Sequence, residues 1–103
     1  MLTPVRIVSL NPGKVIGHRF MINPIITKHG NGKSWGEEGC MSIEGGVCKF
    51  RVKRWDTITV RFQDLRGDFY EVLARGLAAR VVQHEIDHLD GVMVDVLARK
   101  LAA

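Results

Sequence analysis

The sequence predicts an α+β fold in which antiparallel β-sheets pack around one central helix. Three observations carry this reading. Phe50 and Val52, then Ile58, Val60 and Phe62, alternate with Arg51, Lys53, Thr59 and Arg61 on either side of Trp55-Asp56. That period of two is the mark of two half-buried antiparallel strands. From Gly76 the period changes: Leu77, Val81, His84 and His88 recur at spacings of four, three and four, which is one face of a helix. The chain also has 103 residues, 46% hydrophobic and 25% charged, a composition that suits one small globular domain and excludes a disordered chain.

The elements follow in order. Residues 5–10 form a short β-prone run ended by Asn11-Pro12-Gly13, a strong turn signal. Phe20-Met21-Ile22 is a second short run, closed by Asn23-Pro24. Residues 28–36 are polar and contain glycine, and are expected to form a surface loop. After the two strands flanking Trp55-Asp56, residues 64–68 make a turn and residues 69–73 return as a further strand. Leu77 and Val81 share the histidine face of the helix and are expected to turn that face toward the protein. Gly91 supplies a natural C-terminal stop.

Several function classes are excluded at this stage. The longest apolar stretches are only a few residues, too short for a membrane span. Met1-Leu2-Thr3-Pro4 has no signal-peptide architecture, so the expected compartment is the cytoplasm. Two cysteines, Cys40 and Cys48, are too few for a disulfide framework; free thiols or a metal thiolate are expected instead. The formal charge is +4, with basic residues clustered at Lys49, Arg51, Lys53 and Arg54 and again at Arg99 and Lys100. This reads as a solvated strand edge and tail, with a mild attraction to ribosomal RNA or another polyanion as the sharper alternative. Little aromatic interleaving accompanies the cluster, so neither a specific nucleic acid nor a membrane is expected as a partner.

The chemistry concentrates in His84-Glu85-Ile86-Asp87-His88, an H-E-x-x-H pentad on the helix. Side chains four apart project from the same side of a helix, so His84 and His88 can offer two imidazole nitrogens to one ion. Glu85 can reach a water at that ion and act as general base. Three protein ligands are usual in a catalytic site of this kind. The candidates for the third are Cys40, Cys48, His18, His29 and the carboxylates. A generic H-E-x-x-H protease takes a downstream Glu or His, and neither follows here.

Two motifs together bring out a resemblance. Glu38-Gly39-Cys40-Met41-Ser42 is similar to the E-G-C-x-S motif of the peptide deformylases, and Gln83-His84-Glu85-Ile86-Asp87-His88 to their Q-H-E-x-D-H motif. Asn23-Pro24, Arg54-Trp55-Asp56 and Leu89-Asp90-Gly91 agree, and the likeness runs from about Val5 to Leu97. The resemblance implies a deformylase-like fold and a metal-dependent hydrolase that removes the formyl group from N-formylated, formyl-methionyl peptides or acts on a related N-acyl amide. It implies one divalent metal ion per chain, Fe2+ natively with Zn2+ or Ni2+ as replacement, held by Cys40, His84 and His88. Glu85 would be the general base, and the Met41 backbone N–H would donate to the oxyanion. Glu38 would pair with Arg54, and these two together with Gln83 would stand behind the ligands. Ser34, Trp35, Gly39, Gly45 and Gly46 are expected to line the substrate groove.

Family members also carry a G-x-G-x-A-A-x-Q motif that supplies a second oxyanion donor, and a long C-terminal helix; neither is present in these 103 residues. The expectation is therefore a single deformylase-like domain over residues 1–103, N-terminally shortened relative to the family, with a weak ribosome contact. A second reading stays open: a catalytically weak or inactive metal-binding homologue that works as a homodimer or partner-binding module.

Overall fold

The computed structural model describes residues 6–10, 17–18, 20–41 and 47–90. Six strands and one helix follow in order: β1 (Ile7–Ser9), β2 (Phe20–His29), β3 (Lys33–Met41), β4 (Val47–Trp55), β5 (Thr57–Gln63), β6 (Phe69–Arg75) and α1 (Leu77–Leu89). Every pairing is antiparallel. One sheet has the order β1-β2-β5-β6, and β3 with β4 forms a separate two-stranded ribbon. This is the α+β arrangement expected from the sequence.

Three expectations about the strands are corrected. First, β2 does not stop at Asn23-Pro24. Ile22 faces Gln63 and Ile25 faces Arg61, so two residues of β2 oppose one of β5 in a bulge. Asn23 takes a left-handed φ of 51° and donates its N–H to the Arg6 carbonyl at 2.7 Å. Pro24 lacks an N–H and sits in the bulge, where the ladder asks for none. Second, most of the expected loop at 28–36 is strand. Lys28 and His29 end β2, and Lys33 to Gly36 pair with Trp55 to Val52. One face of that ribbon is solvated, so a polar sequence fits it. Third, β4 and β5 flank a bend but belong to different sheets: β4 pairs with β3, and β5 with β2 and β6.

The chain crosses between sheets at a single corner. The Gly30 N–H donates to the Thr57 carbonyl at 2.9 Å, and the Asp56 N–H to the Gly32 carbonyl at 3.0 Å. The Gly76 N–H donates to the Asp56 carbonyl at 2.9 Å, which fixes the start of α1 at the same place. Gly32 lies close under Asp56: a Cβ there would sit 2.8 Å from the Asp56 carboxylate, whose side chain would have to turn aside.

The helix packs against β1, β4 and β6. Its buried residues are Ala79, Val82, Gln83 and Ile86, and they meet a core containing Val8, Leu10, Met21, Ile58, Val60 and Phe62. The histidine stripe is therefore not the core face. Leu77 is 77% exposed, against expectation. Small Ala79 and polar Gln83 share the buried face with Val82 and Ile86, and hydrophobic periodicity gives the first two little weight. Among the described residues no helix is long and apolar enough to cross a membrane.

Candidate metal centre

The rotation of α1 leaves His84 and His88 at the margin of the core, one turn apart. Their ring centroids are 4.3 Å apart at an interplanar angle of 65°. Ligand atoms of His84, Glu85 and His88 all lie within 4.8 Å of one another. His84 is half-buried and His88 exposed, so the group opens to solvent. Two imidazoles and a carboxylate on an accessible helix edge suit a divalent ion that must keep a position for substrate.

The ribbon supplies what stands behind them. Glu38 of β3 is buried. His84 Nδ1 donates to Glu38 Oε1 at 2.7 Å. Arg54 of β4 grips the same carboxylate with both prongs, Nη2 to Oε1 at 2.8 Å and Nε to Oε2 at 2.9 Å. Arg80 Nη1 adds a fourth bond, to Oε2 at 2.8 Å. Burial by itself would push the Glu38 carboxyl up, but the bonds from Arg54, His84 and Arg80 and the Arg54 charge hold it at about 2. An ionised acceptor fixes the His84 tautomer: Nδ1 carries the proton, and Nε2 keeps its lone pair for an ion.

Arg54 also pairs with Asp87 of α1, which lies between the two histidines in sequence. Burial alone would lower the Arg54 pKa; Glu38 and Asp87 reverse this and raise it. Gln83 is satisfied in a different way. Its Oε1 accepts from the Trp55 N–H at 3.0 Å, and its Nε2 donates to the Trp55 and Ala79 carbonyls at 2.8 and 2.9 Å. The side chain thus pairs with the end of β4 like a short piece of strand and locks α1 to the ribbon.

Arg80 and Asp87 are site residues that sequence reasoning missed. Arg80 lies one helical turn before His84, and Asp87 lies inside the pentad, so helix spacing could have flagged both. Arg80 further donates to the carbonyls of Val52 at 2.9 Å and Ser34 at 2.7 Å. Its guanidinium fills the space over Gly36, where a Cβ would lie 2.6 Å from Cζ.

The remaining sequence candidates are placed as follows. Cys40 stands two residues beyond Glu38 in β3, at the register position opposite Cys48, and Met41 closes the strand opposite Val47. The side chains of these four lie outside the described residues. Gly39 is exposed between Glu38 and Cys40, whereas Gly45 and Gly46 lie outside the described residues, as does the helix stop expected at Gly91. His18 packs edge-on against Phe62 and Tyr70, and His29 stacks on Trp55 with centroids 3.6 Å apart, so neither joins the group around His84. Trp35 is exposed on the ribbon face opposite Glu38.

Comparisons with known proteins agree on one relationship. A family model described as polypeptide deformylase matches residues 4–101. A peptide deformylase of Picosynechococcus sp. is 47% identical over 83 residues, covering 80% of this chain and 43% of its own length. One from Afipia carboxidovorans is 39% identical over 100 residues, covering 93% and 57%. Among solved structures, the actinonin-bound class I type b peptide deformylase of Acinetobacter baumannii superposes with a TM-score of 0.69 at 35% identity, over 76% of this chain and 51% of that one. An inhibitor complex of the Plasmodium falciparum enzyme gives a TM-score of 0.77 at 28% identity, over 93% and 56%. The chain spans about half the length of the curated relatives it matches.

Proposed function

The chain belongs to the polypeptide deformylase family, and on that footing we propose that it is a metal-dependent amidase that removes the N-formyl group from formyl-methionyl peptides. The observation that carries this reading is the Glu38–His84 hydrogen bond, at 2.7 Å, beside the His84–Glu85–His88 cluster. It is a carboxylate–histidine pair built to present one imidazole nitrogen outward.

Cys40, His84 and His88 would hold the ion, iron(II) natively with zinc or nickel as replacements. When bound, it supplies a Lewis acid that acidifies water and polarises the formyl carbonyl. Glu85 takes the proton from the attacking water and returns it to the departing amine. The Met41 backbone N–H donates to the formyl oxygen as negative charge develops there. Water adds to the formyl carbon and the C–N bond breaks, giving formate and a free α-amine. Glu38, clamped by Arg54 and Arg80, keeps His84 from turning. Leu77 stands exposed on the histidine stripe of α1, with Val81 half-buried one turn on, and offers an apolar surface to the methionine side chain. A cytoplasmic location goes with this reading.

The test is formate release from a formyl-methionyl tripeptide and acetate release from its acetylated counterpart, after loading with iron, nickel or zinc. We expect formate release that Glu85→Gln abolishes while metal content is retained. Stoichiometric metal without turnover for any of the three ions would replace this reading with that of a metal-binding module.

A further inference from the structure

The strand period divides the basic cluster at residues 49–54. Arg54 faces inward to Glu38, together with buried Val52. Lys49, Arg51 and Lys53 take the alternate positions, and all three are exposed on the outer face of the ribbon. β3 completes that face. Lys33 lies opposite Trp55, Trp35 opposite Lys53, and Glu37 opposite Arg51. The outer face thus carries four cations, Lys33, Lys49, Arg51 and Lys53, against one carboxylate, Glu37. Among the described residues none of the four cations has a carboxylate within salt-bridge distance.

Trp35 stands in the middle of this face, 44% exposed. The Arg51 guanidinium lies 5.7 Å and the Lys53 ammonium 6.0 Å from its ring centroid. A second aromatic continues the face: Trp55 has the Lys33 ammonium 4.2 Å from its centroid, and His29 stacks on it. The aromatic interleaving missing from the basic segment itself comes from the neighbouring strand. Cations flanking an exposed indole are the composition of a surface that stacks bases and tracks phosphates. Same-face side chains along a strand are about 7 Å apart, comparable to one step of an extended nucleotide chain.

We propose that the outer face of the β3–β4 ribbon docks single-stranded RNA without sequence preference, with a base stacked on Trp35 and phosphates held by Lys33, Lys49, Arg51 and Lys53. The charge complementarity calls for a polyanion. The exposed indole calls for one with unpaired bases, and single strands in cells are mostly RNA. An anionic membrane surface fits less well, since one tryptophan among four cations offers little apolar area to insert. The proposal does not depend on the hydrolase reading, because its readout is binding by the full chain.

The experiment is anisotropy of a fluorescein-labelled oligouridine on titration with the full chain at about 50 mM salt, repeated at higher salt. Salt-dependent binding is expected, weakened on the order of tenfold by Trp35→Ala, the loss of one stacked base. Arg51→Glu with Lys53→Glu should weaken it further and flatten the salt dependence. Both variants change exposed positions, and circular dichroism melts verify that they fold. The proposal is overturned by absence of binding. It is also overturned if heparin and an RNA duplex compete as well as oligouridine does, or if Trp35→Ala binds like the parent. Capture by phosphatidylglycerol vesicles with the same dependence on Trp35 would assign the face to a membrane instead.

Discussion

Glu38 Oε2 accepts from Arg80 Nη1 at 2.8 Å, and the same arginine occupies the space above Gly36, where a Cβ would lie 2.6 Å from Cζ. The ribbon therefore gives up a side chain at one position so that the helix can reach across and hold a carboxylate two residues on. That carboxylate in turn orients His84 at 2.7 Å. The first turns of α1 and the ribbon form one polar unit rather than two packed surfaces.

Gly36→Ala must displace Arg80, whose head is anchored to Glu38 and to the Val52 and Ser34 carbonyls. Urea unfolding should show a loss of about 1–3 kcal/mol. Combined with Arg80→Ala, the alanine at position 36 should cost almost nothing further, because the group it collides with has gone. Full additivity in the double-mutant cycle would show that the two positions are not coupled.

Removing the hub tests the ligand-orienting role directly. Glu38→Ala leaves two buried or half-buried guanidinium groups without their acceptor and frees His84 to rotate. Stability should fall by roughly 3–5 kcal/mol. Glu38→Gln is the gentler probe, and chelator competition should show metal affinity about 10–100-fold lower. Parent-like affinity in a folded Glu38→Gln variant contradicts the assigned role.

The same carboxyl sets an acid limb. Its folded pKa is about 2, against an ordinary value of 4.5, so folding favours the ionised form. The stabilisation is complete above the unfolded pKa and is lost as pH falls from 4.5 toward 2. Its size is on the order of 3 kcal/mol. Urea melts of metal-free protein across that window should show the loss, and Glu38→Gln should lack most of it.

Gln83→Leu removes the clamp between α1 and β4. The Trp55 N–H and carbonyl lose their partners, and the expected cost is roughly 2–4 kcal/mol. Hydrogen exchange should show the Trp55 amide opening faster than its neighbours in β4. Unchanged exchange there would mean that the helix is held mainly by its apolar contacts.

Leu77→Ala separates substrate contact from stability. The residue is 77% exposed, so unfolding free energy should change by no more than about 0.5 kcal/mol. Under the proposed activity, KM for a formyl-methionyl peptide should rise while kcat holds. A rise in KM that is absent for formyl-alanyl peptides would identify the methionine side chain as the group Leu77 meets.

The sequence by itself determined the strands at 58–62 and 69–73, the helix and its histidine pair, and the partnership of Glu38 with Arg54, since these rest on short-range spacing or a motif. Period two and period 3.6 are local properties of the chain and need no tertiary contact to be read. Only the tertiary structure decided that β4 and β5 join different sheets, that β2 runs through Pro24 in a bulge, and that the core face of α1 is Ala79, Val82, Gln83 and Ile86. It alone placed Trp35 among Arg51 and Lys53, and Arg80 over Gly36. The physical reason is common to these cases: each depends on which distant segment supplies the hydrogen bonds or fills the space, and neither is encoded within a window of neighbouring residues.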